Sequence, residues 1–191
     1  MKTIQAKFKR VKKIILTYGL IAGLMAIAML LYSTIQCYTR PDSRDSIILN
    51  YGMLFLAFSM VSIGIKNYRD KYQNGKITFK KAFKIGFYIT LLSSSMYVAV
   101  WLVEYYIFMP DFMEIYAAKV LSQLKSSGAT ASEIAARAEA ISINNEMYKK
   151  PAFVVLFTYI KVFPLGCIIS AISALVLRKK IRINKVLFAI D

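Results

Sequence analysis

The chain has 191 residues, of which 58% are hydrophobic, and carries no histidine and a formal net charge of +16 at pH 7; its mean hydropathy is +0.50. A soluble domain is about half apolar with roughly balanced charge, so oil and base must here be segregated along the chain. With no histidine and two cysteines there is no sign of a zinc or other soft-metal site, and no cofactor is expected. No glycine loop for phosphate and no nucleophile with base and orienting group marks an enzyme.

Taken in order, residues 1–13 form a basic tail with Lys2, Lys7, Lys9, Arg10, Lys12 and Lys13. Residues 14–38 are a first membrane span. Its basic start and the Ala26-Ile27-Ala28 pattern superficially fit a cleaved leader, but the apolar run outlasts the roughly 7–15 residues of such a segment. A tight loop, 39–46, turns at Pro41 and Asp42. The second span, 47–65, leads to a basic loop, 66–79, which turns at Asn74-Gly75 and offers Thr78 as a helix N-cap. The third span is 80–109.

Residues 110–150 are the largest polar piece. Met113, Tyr116, Val120 and Leu124 recur at helical spacing, "SSGAT" breaks the pattern, and Ile134, Ala138 and Ile141 resume it. Thr130 with Glu133 has the spacing of a capping box, so two short helices folded into a hairpin are predicted. Such a hairpin buries too little apolar surface to stand alone and must rest on the spans or on a partner. The fourth span, 151–177, and a basic tail, 178–191, complete the chain.

Each apolar run reaches the roughly 18 residues that cross about 30 Å of hydrocarbon as a helix. The fold class is therefore all-α: a polytopic membrane protein, with a four-transmembrane-helix bundle and a small extracytoplasmic helical hairpin. The first tail, the basic loop with the adjoining Lys80, Lys81 and Lys84, and the last tail together hold eighteen bases against Asp70 and Asp191, whereas the other side is nearly balanced. By the positive-inside rule both termini are cytoplasmic.

Lys161 is the one formal charge between Phe153 and Leu177. It lies nine residues past Ala152, about 13 Å from that end of the span, and Glu104 lies about 7 Å from the matching end of the third span. Their side chains lean toward each other in depth. Two readings are open: a Lys161–Glu104 salt bridge that locks spans three and four, or a polar site on a proton or solute path. Ser93, Ser94 and Ser95, with Ser59 and Ser62, would extend the path; serines in lipid also bond their own helix or a neighbour. Pro164 frees the carbonyl of Ile160 and tends to kink the helix, while Tyr97, Trp101 and Tyr105 share a face with Glu104 and offer the cation an aromatic alternative.

Gly19 and Gly23 in the first span, and Gly166, Ser170 and Ala174 in the fourth, are small-residue ridges of the kind that let helices approach closely in lipid. They predict a contact between spans one and four. Lys80, Lys81, Lys84, Arg178, Lys179 and Lys180 fall at headgroup level, where each base adds about 1 kcal/mol of attraction to an anionic surface. The interleaved Tyr72, Phe79 and Phe83 imitate a nucleic-acid patch, but membrane topology accounts for the charge, and anionic lipid is the expected partner instead of nucleic acid.

The segments "SIGIKNYRDKYQNGKITFKKAFKIG" (62–86), "FMPDFMEIYAAKVLSQLKSSGATASEIAARAEA" (108–140) and "PLGCIISAISALVLRKK" (164–180) resemble a bacterial family catalogued as domain of unknown function forty-one ninety-nine. The resemblance implies a small four-span protein of the bacterial inner membrane and assigns no activity or site residue. The expectation is a non-enzymatic envelope protein whose outer hairpin contacts a partner protein or a second copy of the chain. The alternative is a small transporter or channel component built on Lys161 and Glu104.

Overall fold

A computed structural model describes residues 2–39 and 47–178 of the chain. Every element among them is helical: α1 (Lys2–Thr39), α2 (Ile47–Tyr72), α3 (Phe79–Val103), a π-helical turn (Glu104–Phe108) that continues α3, α4 (Phe112–Ser126), α5 (Ala131–Tyr148) and α6 (Pro151–Leu177). The loop 40–46, Lys179, Lys180 and the rest of the tail lie outside the described residues.

Local chemistry accounts for the boundaries. Asn74 and Gly75 both take positive φ, 48° and 74°, which turns the chain sharply between α2 and α3. Glycine adopts that conformation without a Cβ penalty, and asparagine tolerates it. Thr78 is the N-cap of α3 by its extended backbone, although its side chain makes no capping bond. At α5 the capping box is complete: the Glu133 amide donates to Thr130 Oγ1 and the Thr130 amide donates to the Glu133 carboxylate. Pro151 opens α6, where its missing N–H would have had no helical partner.

The register of the long helices is set by which residues meet. A Cβ on Gly19 would come within 2.7 Å of Leu92, and one on Gly23 within 2.6 Å of Met96, so α1 and α3 run parallel. Gly86 faces Ser170 and Gly166 faces Thr90, so α3 and α6 are antiparallel. Gly166 also faces Phe58, and the hydroxyls of Ser62 and Ser173 are 2.6 Å apart, which sets α2 parallel to α6. The four long helices thus alternate in direction as a bundle. The α4–α5 hairpin lies at the end where α3 finishes and α6 begins; the basic turn between α2 and α3 lies at the other.

The predicted pairing of spans one and four is therefore corrected. Gly19 and Gly23 receive α3 side chains four residues apart, a ridge seated in a groove, and the Gly166–Ser170 ridge also faces α3. Small residues dictate close approach, not the identity of the partner. Ala174 is fully buried in the common core with Ile65, Ile85, Ile89 and Ile169.

Among the described residues, three helices are long and apolar enough to cross a membrane: Gln5–Gln36, Phe79–Phe108 and Pro151–Leu177. Their outward faces carry Leu16, Leu20, Leu24, Ile160, Ile168, Ile172 and Val176, all exposed. Contiguous exposed apolar surface of this kind is foreign to a water-soluble monomer and natural against lipid.

Candidate functional site

The hairpin is anchored by aromatic rings. Trp101 meets Phe112 edge-on at 5.0 Å between centroids, and Tyr105 packs against Phe112 at 6.2 Å and Tyr148 at 5.6 Å. Tyr148 in turn stacks on Phe157 of α6. Offset and edge-to-face ring pairs each contribute about 0.5–1.5 kcal/mol beyond area burial. Two hydrogen bonds complete the attachment: the Tyr38 hydroxyl donates to Asp111 at 2.6 Å, and the Tyr106 hydroxyl donates to the Tyr148 carbonyl at 3.0 Å.

Beneath the hairpin is a cavity of about 460 Å³, bounded by α1, α2, α3, α4, α5 and α6. Met29, Leu30, Ser33 and Thr34 of α1 form one side, and Thr158, Lys161 and Val162 of α6 another. Tyr97, Trp101, Phe112, Tyr116 and Tyr148 supply aromatic surface, and Asn144 a side-chain amide. Burial, with the neighbouring Tyr116, pushes the Tyr148 hydroxyl above its ordinary value, which keeps it neutral throughout the physiological range.

Lys161 and Glu104 are not an ion pair, which corrects the predicted bridge. Lys161 is accessible on the cavity wall, and the ion pairs among the described residues join other partners, Arg69 with Asp70 and Lys149 with Glu146. Glu104 is 5% exposed and accepts a hydrogen bond from Thr34 Oγ1 at 3.3 Å. A π-helical turn begins at Glu104, where the Met109 amide donates to the Glu104 carbonyl at 2.9 Å. One extra residue in that turn rotates the downstream side chains relative to an α-helix, and such turns recur at functional sites. Thr34 thus has two roles: it lines the cavity and it holds the carboxylate behind the wall.

The aromatic alternative for the Lys161 cation is not formed either. The cation–π contacts among the described residues are Arg10 over Tyr72 and Lys81 over Tyr68, both at the basic end. Lys81 also donates to Gln73 at 3.0 Å; Lys80, Lys84 and Arg178 are exposed. Helix α6 continues unbroken through Pro164, and Cys167 is a free thiol.

Of the serines expected to extend a path, Ser94 is buried without a hydrogen-bond partner among the described residues, and the others are used between and within helices. Thr90 and Ser170 hydroxyls lie 3.1 Å apart, as do Ser95 and Tyr159 at 2.7 Å, while Ser59, Ser93 and Ser173 donate to carbonyls of their own helices. Interhelical bonds of this type contribute about 0.6–2 kcal/mol in a membrane. Below the cavity the interior is closed by Phe58, Val61, Ile65, Ile85 and Ile89, each at most 2% exposed. Sequence reasoning missed the cavity and the role of Thr34; the polar run Ser33-Thr34 near the end of an apolar helix was the available signal.

No curated protein and no solved structure matches this chain. A family model does match, over residues 17–179, and its description is "Protein of unknown function (DUF4199)". The match takes in Thr34, Glu104, Lys161 and the whole hairpin, and the chain accordingly belongs to the DUF4199 family.

Proposed function

We propose that this protein is a four-span, non-enzymatic component of the bacterial inner membrane that holds a small molecule in the cavity beneath its hairpin. The observation that carries the reading is Lys161, accessible on the cavity wall without a carboxylate partner among the described residues. An isolated ammonium at membrane depth is costly, and such residues commonly mark a ligand or ion site.

Helix α2 is the fourth crossing segment in this proposal. Phe55, Leu56 and Ile63 point outward and are exposed, as expected of a lipid-facing side, and the 26 residues of α2 extend about 39 Å. The basic end faces the cytoplasm and its anionic headgroups; the hairpin faces the opposite compartment. Closure of the bundle below Lys161 favours a binding site open toward the hairpin side over a transport path through the full depth.

Thiol accessibility tests the site. In a background with Cys37 and Cys167 replaced by serine, Ser33→Cys should react with a small hydrophilic thiol reagent and Val61→Cys should not. Equal inertness of the two would mean that the cavity is closed and the reading wrong.

A further inference from the structure

The composition of the cavity wall narrows the kind of molecule it can hold, given the reading that a small molecule binds there. Lys161 is the one charged residue in the lining. The buried carboxylate among the described residues, Glu104, is turned to Thr34, so it does not neutralise the ammonium by direct contact. Around the lysine the surface is aromatic and aliphatic, with Trp101, Phe112 and Tyr116 forming a run of ring contacts at 5.0 and 6.1 Å.

Aromatic walls alone would suit a quaternary ammonium ligand. A lysine in the same wall opposes any cation, because like charges repel strongly where water is scarce. A neutral apolar occupant would leave the ammonium buried beneath it without compensation. A dianion would bring a second charge with no second cation to meet it. A volume of about 460 Å³ lies in the range of about 300–1,000 Å³ typical of drug-sized ligands, which suits one chain or ring system.

We infer that the cavity binds a monoanionic amphiphile, a carboxylate on a single-chain or ring body, with its head on Lys161 and its body along Trp101, Phe112 and Tyr116. The head accepts a charge-assisted hydrogen bond from the ammonium, and Asn144 and Ser33 are further polar groups elsewhere in the lining.

The chain has a single tryptophan, and it lines the cavity, which supplies a reporter. Dibromostearate, a heavy-atom quencher with a carboxylate head, is titrated into the full-length protein in nanodiscs while Trp101 fluorescence is followed. Saturable quenching is expected, with its methyl ester and the alkylammonium of equal length markedly weaker. Lys161→Met should weaken the carboxylate by roughly 10- to 100-fold, the worth of one charge-assisted hydrogen bond, and Lys161→Arg should retain most of it. Should the variants fail to insert, the comparison of acid with ester on the unaltered protein still decides. If ester and acid quench alike, or Lys161→Met changes nothing, the ligand class is wrong while the site stands. If brominated phosphatidylglycerol saturates the site and displaces the fatty carboxylate, the ligand is a bilayer phosphodiester and the inference is overturned. If no probe quenches saturably and none protects Ser33→Cys from thiol reagent, the site itself is refuted.

Discussion

The Thr34 hydroxyl donates to the buried Glu104 carboxylate at 3.3 Å, which ties the hairpin end of α1 to the π-helical turn after α3. The two residues are seventy positions apart in the chain. Their bond holds a carboxylate that would otherwise be buried without a donor, and it fixes the cavity wall to which Thr34 belongs.

Thr34→Val removes that donor and leaves the acceptor in place. Loss of about 1–3 kcal/mol is expected, the penalty for stranding a buried polar group. In the Glu104→Met background the same change should matter less, since no acceptor remains to be stranded. Thermal unfolding of the four proteins of this double-mutant cycle in one detergent measures the coupling. Equal effects in both backgrounds would show that the bond carries no energy.

Glycine substitutions should rank by what their new Cβ meets. At Gly19 and Gly23 the obstacles are the ends of Leu92 and Met96, flexible side chains that can move aside. At Gly166 the obstacles are Thr90, whose β-branch holds its rotamer, and the ring of Phe58. Gly166→Ala is therefore expected to cost more than Gly19→Ala or Gly23→Ala, toward the upper part of the roughly 1–3 kcal/mol span of overpacking. Detergent melting temperatures give the order directly.

The start of α5 should weaken in acid. The Thr130 backbone amide, then its side chain, hold the Glu133 carboxyl below the usual carboxylate range. A depressed folded-state value means that the stabilisation is present above the unfolded value and is lost as pH falls through the folded one. Hydrogen exchange at residues 131–134, corrected for intrinsic rates, should rise as pH drops through and below the carboxylate range. In Glu133→Ala, which lacks the group, exchange should be faster at neutral pH and insensitive to that acidification.

Much of the architecture could be read from residue order because it is set locally. The Asn74-Gly75 turn and the Thr130–Glu133 capping box are each specified within four residues. Helix partners are not specified in that way. Gly19 and Gly23 announce close approach, but only the assembled bundle decides that Leu92 and Met96, not Gly166, fill the space. The relation of Lys161 to Glu104 could not be had from depth alone because the carboxylate is turned to Thr34, seventy residues away on α1. A cavity assembled from six helices has no signature in any single stretch.

The central claim is a bundle that crosses the bilayer four times with its basic end inside, and cysteine labelling of intact cells tests it most directly. With Cys37 and Cys167 replaced by serine, a membrane-impermeant maleimide should label Ser126→Cys from outside. Lys76→Cys should react only after the membrane is opened, and Phe55→Cys on α2 should stay protected in both conditions. Labelling of Ser126→Cys and Lys76→Cys from the same side, or free reaction at Phe55→Cys in intact cells, would contradict the account.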